Sequence, residues 1–219
     1  MLRLPEDRPD AWPALVASIR LDVRGELVLE AAADAPAVMA DQLRAAGLTP
    51  RRRTQRWSIP VSVARLPHVA PDRHRLISVR DADLERVVNL DNALRDEIPG
   101  SSGWLGTVAD LRAELSDDDF DPELYLVAEH ASTGSYDGLV RVWNRRPTPR
   151  LGCVAVRSEW RRGRLTAALL GTVARVLAER GVPQVTAETD EENLASVRLA
   201  RRVGAVLGPV DVEWVAPAR

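Results

Sequence analysis

Lysine is absent: all 30 basic residues among the 219 are arginines. They face 32 acids, and the formal charge of −2 gives no electrostatic reason to expect nucleic acid as a partner. An all-arginine complement reflects genome composition rather than mechanism. Cysteine occurs once, which excludes a disulfide within the chain. With no Cys/His cluster at metal-ligand spacing, no metal is expected. No apolar run approaches the roughly 18–20 residues that span a bilayer, so no membrane partner is expected either. The first ten residues lack the apolar stretch of a secretory signal, and a cytoplasmic protein is expected by elimination.

What is present is an ordinary globular composition, 45% hydrophobic and 28% charged, enough for one core or one core with a satellite. The charge is unevenly placed. Between Asp81 and Glu129, 14 acids face three arginines, a local balance of −11. Such a segment is either a solvated acidic face or a field that attracts a cationic substrate.

Periodicity and punctuation divide the chain in two. The first part predicts a helix over Asp10–Arg20, a strand over Glu26–Ala33, a helix over Pro36–Ala46 ended by Gly47, and a strand over Thr54–Val63. A linker over 67–75 follows, carrying His68, Pro71 and His74. The second part predicts strand Leu76–Arg80, helices Asp83–Arg95 and Thr107–Leu115, and strands Glu123–Glu129, Gly138–Asn144 and Arg150–Val156. Helix Arg161–Arg180, strand Gln184–Thr189, helix Asn193–Val203 and strands within Val206–Val215 complete it. Strands dominate the middle and helices alternate near the end, which suits a mixed sheet with helices on both faces.

The first segment also echoes the last. A gapless shift of 157 positions sets Val28 on Val185, Arg44 on Arg201, Gly47 on Gly204, Trp57 on Trp214 and Pro60 on Pro217. Residues 1–66 therefore read as a half-copy of the chain's own C-terminal fold, or as an unrelated α/β extension with a common capping glycine.

The most informative stretch is Leu151–Ala205. It opens with Leu151-Gly152-Cys153-Val154-Ala155-Val156, passes through Arg161-Arg162-Gly163-Arg164-Leu165-Thr166-Ala167, and ends with a helix opened by Asn193. A basic turn with small residues at a helix start is a phosphate cradle, because free N–H groups and the positive dipole end converge there. This order resembles the acyl-CoA-binding core of the GNAT-type N-acetyltransferases, over about residues 76–217.

The resemblance implies an α/β (α+β) fold with a mixed, mostly antiparallel central sheet, splayed at the acyl-CoA site and covered by helices on both faces. Residues 1–66 add a degenerate half-repeat, 67–75 a linker, and 76–219 the acetyltransferase domain. It implies acetyl-CoA as donor, held by the backbone of Val154, Ala155 and Val156, by the turn Arg161, Arg162, Gly163, Arg164, Leu165, Thr166 and Ala167, and by Asn193. Arg164 and Thr166 replace the small residues usual in that turn, and the glycine is displaced to position 163. A tyrosine general acid would stand at position 200, where this chain has Ala200, leaving Tyr125 and Tyr136 as the available tyrosines. For the base, Glu188 stands where several members carry a glutamate, with Glu129 and His130 next. Asp96, Glu97 and Trp104, after the first helix of the domain, are expected to shape the acceptor site.

Three functions follow from this resemblance. They are acetylation of a primary amine on a small cationic molecule (aminoglycoside-like or amino-acid-derived), acetylation of a protein or peptide, and acyl-CoA binding without catalysis. A homodimer is the expected assembly.

Overall fold

A computed structural model describes residues 12–22, 25–61, 69, 71, 73–99, 105–161 and 163–217. Eight strands hydrogen-bond in the order β1-β8-β2-β7-β6-β5-β4-β3, mostly antiparallel, with helices beside them. The chain forms two compact units that do not follow chain order: 1–56 with 189–192 and 207–219, and 57–188 with 193–206. Among the described residues no helix is long and apolar enough to cross a membrane.

The larger unit contains β3 (His74–Ser78), α3 (Leu84–Asp96), α4 (Val108–Glu114), β4 (Tyr125–His130), β5 (Tyr136–Trp143), β6 (Arg150–Val156), α5 (Leu165–Glu179) and α6 (Leu194–Arg202). Most of β7 (Gln184–Asp190) and the end of β2 (Thr49–Pro60) also belong to it. β3 to β6 pair antiparallel with their sequence neighbours. β5 is buried along almost its whole length, as a central strand covered on both faces should be. On one face, Val87, Leu90 and Leu94 of α3 pack with Val127 and Leu139; on the other, Leu169, Val173 and Leu177 of α5 pack with Val140 and Val142. Asp83 caps α3 by accepting from the Glu85 and Arg86 amides. Thr107 and Asp110 form a reciprocal capping box on α4.

β3 begins two residues earlier than expected, so His74 lies in a strand. Its buried Nε2 is 3.0 Å from Asp137 Oδ2. The C-terminal strands resolve into one strand, β8 (Val206–Ala216). α5 starts at Leu165 rather than Arg161, because the residues before it form a turn.

The smaller unit holds α1 (Trp12–Asp22), β1 (Leu27–Ala32), α2 (Ala37–Ala45), most of β2, and β8, which pairs antiparallel with β1. Its core gathers Val16, Leu29, Met39, Leu43, Leu48, Val212 and Trp214. The 157-residue spacing holds at the level of elements: α2 and α6 are nine residues each, and Ala37–Ala45 shifts onto Leu194–Arg202. Both helices end in the same motif. Gly47 at φ 80° donates to Arg44 while Leu48 donates to Leu43, and Gly204 at φ 78° donates to Arg201 while Ala205 donates to Ala200. The equivalent tryptophans are exchanged: Trp57 lies in the core that contains α6, and Trp214 in the core that contains α2.

Candidate functional site

The site begins where two strands part. β6 and β7 run parallel and pair through Arg150–Thr186 and Leu151–Ala187; among the described residues the pairing goes no further. From Gly152 to Val156 the β6 edge facing β7 is left without a strand partner. On its other side β6 stays paired to β5, but the register slips: Val142 faces Leu151 and Arg141 faces Cys153, leaving Gly152 as an extra residue. A bulge of this kind turns a backbone amide out of the ladder. A Cβ there would lie 2.8 Å from Trp143 Nε1 and 3.1 Å from Trp143 Cδ1, so any larger residue would have to displace that indole.

Beyond Val156 the chain makes a short helical turn, Ser158–Trp160, then the turn into α5. Asp83, Thr107 and Asn193 cap α3, α4 and α6 with their side chains, but no side chain caps α5. Its 15 residues therefore present a first turn of amides to whatever anion arrives. Arg164 occupies the capping position in helical conformation and its side chain is exposed. Gly163 donates to the Trp160 carbonyl at 3.1 Å. Arg161 reaches the Val156 carbonyl and pairs with Glu97. Arg162 lies outside the described residues. Asn193 accepts from the Ser196 amide at 3.1 Å, the capping bond expected of an asparagine at a helix start.

Cross-strand register sets Tyr125 beside Arg141 and Arg141 beside Cys153, one row across β4, β5 and β6. Arg141 is buried, pairs with Glu114 at 2.8 Å, and lies over the rings of Tyr125 and Trp143. Burial pushes the Tyr125 phenol well above its ordinary range. Burial, with Asp91 adding, pushes the Cys153 thiol up to about 11, so it is a neutral small side chain at physiological pH rather than an acyl carrier. Glu188 follows the last β6–β7 pair and holds Arg150 at 2.6 Å. A cavity of about 20 Å³ lies between α3, α4 and β4, with Asp91, Glu114 and Tyr125 in its wall.

The other expected residues scatter. Glu129 pairs with Arg75. His130 Nδ1 lies 3.2 Å from Ser132 Oγ, and its ring packs on His74 and Trp160. Both stand at the far end of β4: Glu129 faces Tyr136, six residues along β5 from Val142, beside which the strands part. That separation is about 20 Å along a strand. Tyr136 is engaged elsewhere, its hydroxyl accepting from the Asp83 amide. Ala200 is buried in the core, which fills the general-acid position with a methyl group. Asp96 ends α3, and Trp104 lies outside the described residues. The acidic segment is partly neutralised: Glu97, Glu114, Asp119, Asp121, Glu123 and Glu129 pair with five arginines from outside it. Sequence reasoning missed Asp91, Glu114, Arg141 and the bulge at Gly152.

Residues 73–206 match the family model described as an acetyltransferase (GNAT) domain, more than half of the chain. The chain belongs to the GNAT acetyltransferases. Among solved structures it is similar to a GCN5-related N-acetyltransferase from Sphaerobacter thermophilus, with 22% identity over 90% of this chain and a TM-score of 0.69. It is similar to a tandem GNAT protein from the clavulanic acid biosynthesis pathway, with 17% identity over 96% of this chain and 69% of that one, at a TM-score of 0.68. A GCN5-related N-acetyltransferase from Kribbella flavida follows at 17% identity, 96% and 77% coverage, and a TM-score of 0.60. At these identities the likeness is one of fold. The chain spans 61% of the length of the Sphaerobacter structure. No curated protein matches it.

Proposed function

We propose that the protein is an N-acetyltransferase that takes acetyl-CoA as donor and acetylates the primary amine of a small cationic molecule. The observation that carries this reading is the parting of β6 and β7 after Leu151 and Ala187, continuous with an uncapped helix start at Leu165. The free edge Val154–Val156 suits the amide arm of the donor, which pairs as a strand does. The amides of Leu165, Thr166 and Ala167, with Gly163 and the guanidinium groups of Arg161, Arg162 and Arg164, suit the pyrophosphate. Asn193 adds a polar side chain beyond the parting. The donor supplies an activated thioester.

The chain's own groups then have three tasks. The amide turned out at Gly152 suits the oxyanion that develops when the amine attacks. Glu188, at the parting, is the proposed base, taking a proton from the acceptor's ammonium, directly or through water, to free the amine that attacks. No tyrosine replaces Ala200 at the departing thiolate, so the thiolate leaves unassisted. The cationic character of the acceptor is supported by Asp91, Asp110 and Glu114 in the wall of the cavity under α3 and α4.

Residues 1–66 are proposed to be a degenerate half-copy of the same fold, supported by the coincidence of α2 and α6 and of their glycine ends at a spacing of 157. Among its described residues the half-copy has no counterpart of β6, the arginine turn or α5, so acyl-CoA chemistry is assigned to the larger unit.

The test is thiol release from acetyl-CoA in the presence of an amine panel, with acetyl-CoA titrated alone by calorimetry. Release that depends on a small amine supports the reading. Release only with peptides transfers it to protein acetylation, binding without release leaves a non-catalytic acyl-CoA-binding protein, and no binding at high micromolar concentration removes the donor.

A further inference from the structure

The cavity between α3, α4 and β4 contains an unanswered charge. Asp91 sits on the inner face of α3 among Val87, Leu90 and Leu94, where an apolar residue would be ordinary. Its Oδ2 accepts from Arg95 Nε at 3.0 Å, but its Oδ1 is buried without a hydrogen-bond partner. Leaving a buried carboxylate oxygen unpaired is costly, and native structures almost always pair it. The residue is 7% exposed, so bulk water does not answer the oxygen.

The surroundings define what would. Three carboxylates line the cavity: Asp91, Asp110 and Glu114. Arg95 balances Asp91 through Oδ2 and Arg141 balances Glu114, while the exposed Asp110 is bonded by the neutral Thr107. The three carboxylates thus face two arginines, and the buried oxygen left without a partner is Oδ1 of Asp91. At about 20 Å³ the cavity admits one water-sized group and no ring. An ammonium has that size, the matching charge, and three donors for the oxygens of Asp91, Glu114 and Tyr125. One part of the lining is held in place: Asn92 clamps Gly106 through bonds of 3.0 and 2.9 Å in both directions.

The cavity is not where the acyl group is transferred. Its floor is Tyr125 on β4, two strands from the free edge of β6, or about 10 Å at ordinary strand spacing. We propose that Asp91 holds a second, non-reacting ammonium of the acceptor, so that the preferred acceptors are diamines whose nitrogens stand about 10 Å apart. This rests on the acetyl-transfer reading above.

The experiment compares kcat/KM for 1,7-diaminoheptane, heptylamine and ethylenediamine with acetyl-CoA as donor. In the wild type, 1,7-diaminoheptane should exceed heptylamine by about tenfold or more, beyond the factor of two given by its two equivalent amines. Ethylenediamine, too short to reach, should show no such gain. In Asp91→Asn the ratio of the long diamine to the monoamine should fall to about two. Val88→Leu, which fills the cavity without touching a charge, should lower the ratio as well, and circular dichroism with the acetyl-CoA-induced Tm shift verifies that each variant folds. A wild-type ratio near two, as a plain water site would give, overturns the proposal, as does a high ratio retained in Asp91→Asn. Should no amine be acetylated, the transfer reading fails separately, and the subsite is read by binding. 1,7-Diaminoheptane raising the Tm of the wild type but not of Asp91→Asn then supports it, and an equal effect on both overturns it.

Discussion

Arg150 and Glu188 are joined at 2.6 Å at the point where β6 and β7 separate, one residue to either side of the last strand pair. The pair holds the proposed base against the vertex of the cleft. Both side chains remain about one-third exposed, so the carboxylate is reachable by an acceptor or a bridging water. If Glu188 takes the proton, Glu188→Gln should lower kcat by roughly 10²-fold or more, the usual contribution of a general base, with KM little changed. The acidic limb of the rate–pH profile should flatten with it. A fully active Glu188→Gln moves the base to an ordered water.

The Glu97–Arg161 pair leads to a second prediction, on donor affinity. A phosphate approaching the turn before α5 must compete with the Glu97 carboxylate for Arg161. Each side chain is nearly half exposed, so the pair contributes at most about 1 kcal/mol. Glu97→Gln should tighten acetyl-CoA binding by up to about fivefold in calorimetry. Arg162→Glu combined with Arg164→Glu should do the reverse and abolish the Tm rise that acetyl-CoA gives the wild type, since like charge then faces the phosphates. A double variant with an unchanged shift would show that the phosphates bind elsewhere.

Much of the fold was legible because its signals are local. Asp83, Thr107 and Asn193 announced helix starts, and glycines after periodic runs announced the ends of α2 and α6. The strand β6 and the turn before α5 were legible for the same reason. The acceptor side was not, because it depends on contacts distant in sequence. Arg141 reads as one charge in a strand until register sets it between Tyr125 and Cys153, with Glu114 reaching it from α4. Asp91 did leave a mark, a carboxylate in the apolar stripe of α3, and this was overlooked among 14 acids read as one field. Part of that field is answered from far away in the chain, by arginines such as Arg180 on Asp121 and Glu123.

A third prediction concerns the entry to α4, which also forms a wall of the cavity. Thr107 Oγ1 accepts from the Asp110 amide at 3.2 Å, and the Asp110 carboxylate accepts from the Thr107 amide at 2.8 Å. Thr107→Ala removes the cap and should cost about 1 kcal/mol, a fall in Tm of roughly 2–4 °C for a chain of this size. The Thr107 hydroxyl first, and its amide second, hold the Asp110 carboxyl below its usual range. A carboxyl depressed by folding contributes stability above its unfolded pKa of about 3.9 and loses it as pH falls through the folded value. The wild type and Thr107→Ala should therefore differ most near neutrality and converge in acid. A Tm difference that is constant down to strong acid would contradict the linkage.

The last prediction concerns alkaline stability. Cys153 and Tyr125 flank Arg141, and burial raises both of their titrations, the thiol to about 11. A group whose pKa is raised by folding stabilises the native state below its unfolded value and loses that contribution as pH rises through the folded one. For a thiol the window opens near the unfolded value of about 8.5. The denaturation midpoint in guanidinium should hold steady up to about that pH and then fall toward pH 11, with Tyr125 extending the decline. In Cys153→Ala the thiol cannot ionise, so its midpoint should decline less over the same range, and the gap between the two proteins should change steadily with pH. Parallel curves for wild type and variant would mean that Cys153 does not ionise in the window, and that burial at the end of the Tyr125–Arg141 row does not set its titration.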